Sequence, residues 1–180
     1  MAYLYSQVDT SISSWFRNDP TAQTLRAITL ETGAIRGLSD LTINFDYPLT
    51  AIAGRNGSGK STLLAMAACA FHNQPSGFNP LNRKNPYYTF SDFFIQSAEE
   101  VPLDGVTIHY LIHYNNWRKT PEIPTGVGLA FQSRHKRKGG RWNDYATRVH
   151  RNVVFLGIDR VVPHSERTVF KSYRSRFRES

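Results

Sequence analysis

Residues 49–71, LTAIAGRNGSGKSTLLAMAACAF, constrain this chain more than any other stretch. Gly54-Arg55-Asn56-Gly57-Ser58-Gly59-Lys60-Ser61 fills every fixed position of G-x-x-x-x-G-K-[ST]. The apolar run Leu49-Thr50-Ala51-Ile52-Ala53 before it predicts a buried strand, and Thr62–Phe71 after it predicts an Ala- and Leu-rich helix. Strand, glycine loop and helix in that order are the context in which this motif works as a phosphate-binding loop. The loop glycines permit turns that a Cβ would obstruct, so successive N–H groups converge on phosphate oxygens. The helix start adds free N–H groups and the positive end of its dipole. In such a loop the lysine, Lys60, reaches the β- and γ-phosphates and is the candidate catalytic residue, while the Ser61 hydroxyl completes a Mg²⁺ shell. Gly54, Arg55, Asn56, Gly57, Ser58, Gly59, Lys60, Ser61 and Thr62 are therefore the candidate cofactor-binding residues, with ATP and Mg²⁺ as the expected ligands. A glycine turn that only resembles the motif would lack the flanking strand and helix.

Composition narrows the class. Of 180 residues 40% are hydrophobic and 20% charged, ordinary globular values that argue against wholesale disorder. No apolar run approaches the roughly 20 residues that a membrane helix needs. The start, MAYLYSQVDT, lacks a basic segment followed by an apolar core, so no secretion signal is expected. Cys69 is the sole cysteine, which excludes an internal disulfide and fits a reducing, cytoplasmic setting. A net charge of +8 points to a polyanionic partner. Basic residues concentrate at Arg134–Arg141 and Arg167–Arg178. Such runs are either solvated faces or phosphate contacts. On the second reading Lys136, Arg137, Lys138 and Arg141 are the candidate nucleic-acid contacts.

In chain order, residues 1–23 read as an N-terminal extension with a short helix near Ser11–Arg17, and 24–180 as the P-loop domain. Leu25–Leu30 alternates apolar and polar like a half-buried strand. A Thr32-Gly33 turn and a second strand ending at Phe45 then make an antiparallel pair. Residues 73–86, with three prolines, form a loop. Phe93-Phe94-Ile95 is expected to cover core. Gly105–Tyr114 predicts a strand with Val106, Ile108, Tyr110 and Ile112 on one face and Thr107, His109, Leu111 and His113 on the other. His109 and His113 lack companions at metal-ligand spacing, so half-exposed strand histidines are expected rather than a metal site. Gly126–Ser133 and Arg141–His150 flank Gly139-Gly140 like the arms of a hairpin with a basic tip. Val153–Leu156 predicts a further strand leading to Asp159, and Phe170, Tyr173 and Phe177 fall at helical spacing among basic residues.

The run IRGLSDLTINF, a short turn and LTAIAGRNGSGKSTLL resembles the amino-terminal start of RecF/SMC-like ATPases, an AAA-type P-loop group within the ABC superclass. Gly54, Asn56, Gly57, Ser58, Gly59, Lys60, Ser61 and Thr62 match that family's loop position by position. The resemblance implies an α/β fold: a P-loop NTPase core, in its N-terminal lobe, with an antiparallel β subsheet. It places Arg36 in a loop near the nucleotide, a surface arginine being the alternative. It makes Gln96 a candidate for the family's magnesium- and water-contacting glutamine, and Asp159 either a second magnesium ligand or a structural residue. The family's signature Ser-Gly-Gly and its Walker B Asp-Glu pair do not occur in this sequence. Turnover is therefore uncertain, and slow hydrolysis at most is expected without the catalytic Glu. The resemblance implies an ATP-binding lobe serving DNA repair, chromosome maintenance or anti-phage defence, which self-associates or meets a chain carrying the signature and Walker B motifs. The alternative is a non-hydrolysing ATP-responsive module that recruits or complements a protein partner. A small kinase or GTPase using Asp159 for magnesium is a third reading.

Overall fold

The computed structural model describes residues 5–72, 87–94, 103–138, 142 and 149–156. Helix α1 (Gln7–Asn18) and a 3-10 turn (Pro20–Ala22) lead into strands β1 (Thr24–Ile35) and β2 (Leu38–Asn44). Helix α2 (Lys60–Ala68) follows the glycine loop, then a single helical turn, α3 (Phe90–Phe93), and strands β3 (Thr107–Tyr114) and β4 (Gly128–His135). The four strands form one antiparallel sheet in the order β2-β1-β3-β4.

Alternation along the strands decides which face is covered. Ile28 and Leu30 of β1 and Ile108, Tyr110 and Ile112 of β3 are all but inaccessible, and they join Leu63, Met66, Phe90 and Phe94 in one core. The predicted two-face split of β3 is the observed one. On the other face Glu31, His109 and Ser133 form a cross-strand chain, with 2.7 Å from His109 Nε2 to Glu31 Oε2 and 2.7 Å from Ser133 Oγ to His109 Nδ1. Among the described residues there is no cluster of metal-ligating side chains.

The first hairpin turns later than its sequence pattern suggests. β1 continues past Thr32-Gly33 to Ile35, and the turn falls at Arg36-Gly37. Gly33 sits instead where the β1–β2 register shifts, between Leu30 and Ala34. Its φ is +75°, and a Cβ on it would stand only 2.7 Å from Val106 Cγ2. Both facts reserve the position for glycine, which bends the strand without ending it.

α1 exceeds its predicted span. It starts from a capping box in which Asp9 N–H donates to Ser6 Oγ and Ser6 N–H to Asp9 Oδ2, both at 3.1 Å. Its aromatic pair divides: Phe16 is buried against the sheet, while Trp15 stays half exposed. The Arg26 guanidinium lies 4.8 Å from the Phe16 ring centre and donates to Phe45 O, Phe16 O and Arg17 O. Burial lowers the pKa of this arginine, an effect the Asp46 charge partly opposes.

Two predicted strands are not formed. Residues 49–53 carry no ladder hydrogen bonds, and Leu49 is 83% exposed. A core strand of a P-loop fold needs neighbours on both edges to take up its N–H and C=O groups. No described strand runs beside this segment, and only Ile52 packs against the core. Residues 153–156 likewise lie outside any strand, Phe155 N–H donating instead to the Tyr88 hydroxyl at 3.1 Å. β4 supplies the first arm of the second hairpin. The Lys136–Trp142 bridge shows the chain returning antiparallel, but Gly139-Gly140 lie outside the described residues, as do Gln96, Asp159 and the basic tail.

Ile108, fully buried between β1 and β4, tests this core. Ile108→Ala is expected to lower stability by about 2–5 kcal/mol through lost burial and a residual cavity. Urea unfolding checks this, with the midpoint falling and the slope unchanged.

Candidate nucleotide-binding site

Helix α2 begins at the last glycine of the loop. Gly59 is its N-cap, in the left-handed region at φ +85°, and no side chain caps the first turn. A Cβ on Gly59 would meet Leu38 Cδ2 at 2.6 Å, so the lack of a side chain lets the loop rest directly on the start of β2. The contact sets Leu38, the residue after the Arg36-Gly37 turn, against the loop. Arg36 is exposed, its backbone is left-handed at φ 48°, and its guanidinium stands 5.3 Å from the Phe94 ring centre.

Lys60 is folded back on the loop that precedes it. Its ammonium donates to Gly54 O at 2.8 Å and to Arg55 O at 2.6 Å, holding the loop closed around its own carbonyls. The loop also has an internal Ser58 N–H to Arg55 O bond of 3.2 Å. Arg55, Asn56, Gly57, Ser58 and Ser61 are exposed, whereas Thr62 is buried beneath the first turn. The structure thus gathers the loop lysine, exposed Ser61, the uncapped N-terminus of α2 and, across Leu38, the Arg36 turn. First-turn N–H groups have no partner within their helix, so this end favours an anion. The donor set fits a polyphosphate: backbone N–H groups, one primary ammonium and a hydroxyl one residue later.

The AAA domain family matches residues 30–160, most of the chain. The chain belongs to the AAA domain family. No curated protein matches. No solved structure matches. Membership identifies the domain as a nucleotide-binding, ATPase-type module, and its match covers the loop, helix α2 and all of β2, β3 and β4.

Arg137 and Lys138 of the AAA domain are exposed after the end of β4. Lys136 is half-buried and donates to Asp104 Oδ1 at 3.2 Å and to Arg137 O at 3.4 Å. Arg141 and Asp159 lie outside the described residues. A cavity of about 770 Å³ opens between α1 and Asp46-Tyr47. It adjoins the far end of β2 from Leu38, a separation of roughly 20 Å along the strand, and is no part of the loop.

Sequence reasoning misses what holds the far end of α2. Arg134, by composition the start of a basic run, is fully buried and donates to Cys69 O at 3.3 and 2.8 Å and to Ala70 O at 3.1 Å. Its parity with Gln132 and Ala130 is the available signal, because that parity places it opposite Ile108 on the core side of the sheet.

Gly59→Ala forces a left-handed alanine into the space held by Leu38. We expect it to cost about 1–3 kcal/mol of local strain and to weaken nucleotide binding more than Gly57→Ala, whose Cβ would meet nothing within 4 Å. Fluorescent ATP-analogue titration of the two variants side by side checks the order.

Proposed function

We propose that this AAA domain binds Mg-ATP through Gly54–Thr62 as the nucleotide lobe of a RecF/SMC-like ATPase that acts on DNA in the cytoplasm. The observation carrying the reading is the Lys60 ammonium on Gly54 O and Arg55 O beside an uncapped α2 N-terminus. A lysine so placed exchanges two neutral carbonyls for phosphate oxygens, a stronger, charge-assisted pairing. Ser61 would hold the magnesium, Arg36 would approach the nucleotide from the β1–β2 turn, and Asp159 is a further candidate ligand for the metal. The bound Mg-ATP supplies the reactive γ-phosphoryl group. This chain's residues orient it and neutralise its charge. Arg137 and Lys138, with Lys136 and Arg141, are the proposed contacts to DNA phosphates.

A second reading has its own observation. Residues 49–53 are mostly apolar and, apart from half-buried Ile52, exposed, and they have no ladder partner among the described residues. A partner supplying a strand and the absent Asp-Glu and signature motifs would complete this edge. The AAA domain would then be an ATP-responsive module that recruits that partner, or a second copy of itself, without turnover of its own.

Isothermal titration with Mg-ATP is expected to show binding that Lys60→Ala removes while the circular dichroism spectrum stays unchanged. Binding retained in the folded Lys60→Ala protein would sink the loop assignment. Affinity for duplex DNA is expected to fall steeply between low and moderate salt as counterions are released, with Arg137→Ala/Lys138→Ala shallower in slope. A salt-independent affinity removes these residues from the phosphate contacts.

A further inference from the structure

The nucleotide loop is attached to the start of a nine-residue helix, and the described structure holds that helix most elaborately at its other end. Three side chains of β3 and β4 converge on the terminal carbonyls of α2. Tyr110 Oη donates to Met66 O at 2.8 Å, the Arg134 guanidinium to Cys69 O and Ala70 O, and Gln132 Nε2 to Ala70 O at 3.1 Å. All three residues are buried. Gln132 also accepts through Oε1 from Val149 N–H at 3.0 Å, and Val149 O accepts from His72 N–H at 3.0 Å. The chain leaving α2 is therefore tied to the same cluster as the helix itself.

We infer that Tyr110, Gln132 and Arg134 are positioning residues for the phosphate loop, setting nucleotide affinity from the opposite end of α2. This deepens the proposed ATP site and rests on that reading. Unsatisfied C-terminal carbonyls are a general problem of helices, and a cation placed there also opposes the negative end of the dipole. Yet charge alone does not explain the arrangement. The dipole effect of a charge falls off within the last turn of a helix, and a cation at an exposed position there would supply the same sign. A buried, multiply bonded guanidinium fixes where the helix ends and how it is rotated. Because α2 is short and rigid, fixing its end also fixes Lys60 and Ser61, and Gly59 closes the frame by resting on Leu38. Small displacements of positioned groups are costly at such sites.

The test compares nucleotide affinity with global stability. Arg134→Met keeps apolar bulk and removes the charge and its hydrogen bonds, while Tyr110→Phe keeps the ring and removes the hydroxyl that donates to Met66 O. At a temperature where circular dichroism shows every protein folded, Mg-ATP binding is expected to weaken about tenfold in Arg134→Met and a few fold in Tyr110→Phe. Arg134→Lys should recover part of the loss. Hydrogen exchange at loop amides 54–61 should accelerate in the same order. A lowered melting temperature with unchanged affinity and unchanged loop exchange in the folded variants overturns the inference and leaves the cluster a purely structural cap. If Arg134→Met does not fold, Tyr110→Phe decides by the same comparison. Absence of Mg-ATP binding in the unmodified protein overturns the site reading, and the inference with it.

Discussion

Buried helix ends impose the condition that organises this domain. An α-helix leaves its last carbonyls without partners, and where the end lies under a sheet no water is at hand to take them. Among the described residues α1 and α2 each meet an arginine of the sheet at the C-terminal end, that of α1 being exposed at Arg17 and Asn18 and that of α2 buried. Arg26 of β1 reaches Phe16 O and Arg17 O at the end of α1, and Arg134 of β4 reaches Cys69 O and Ala70 O at the end of α2. The two differ in kind. Arg26 remains partly accessible and its contacts are long, at 3.5 Å, whereas Arg134 is fully enclosed with a shortest contact of 2.8 Å. The tighter arrangement belongs to the helix that carries the phosphate loop.

That asymmetry fits a division of labour along α2. The helix is enclosed on most sides, with Thr62, Leu63, Ala65, Met66 and Ala68 all buried and Leu64 exposed. Helix propensity alone would not hold nine residues in water, so packing does. The C-terminal end sits in a low-dielectric setting with the carbonyls of Met66, Cys69 and Ala70 taken up by buried side chains, while the N-terminal end opens to solvent without a side-chain cap. One end is thus fixed and the other is available. Lys60 occupies the open end by bonding to its own loop, a contact that a stronger acceptor can displace without disturbing the core beneath.

Much of this is legible in the residues. The loop announces itself by spacing, and β1 and β3 by alternation, because each has one buried face and a period of two is hard to produce otherwise. The β1–β2 turn is misplaced by its pattern because Gly33 looks like a turn glycine but serves a bulge, a distinction set by Val106 across the sheet. Arg134 misleads for a related reason. A basic residue inside RHKRKGGR belongs by composition to a solvated run, and only strand parity reveals that it faces the core. Residues 49–53 fail in the opposite direction. Their pattern is that of a buried strand, but a strand is a property of a pair, and local sequence cannot supply the neighbour.

The largely exposed 49–53 segment runs directly into the loop that Lys60 closes. In a P-loop core the strand before the loop is anchored by ladder bonds on its edges, so the loop is stretched between two fixed elements. Here only the helix side is anchored among the described residues. On the strand side Gly54 O and Arg55 O are turned toward Lys60, and the ammonium closes the loop upon itself. Pairing of 49–53 with another strand would pull those carbonyls into line with a ladder and loosen their hold on Lys60. Strand pairing and phosphate binding would then favour the same open loop.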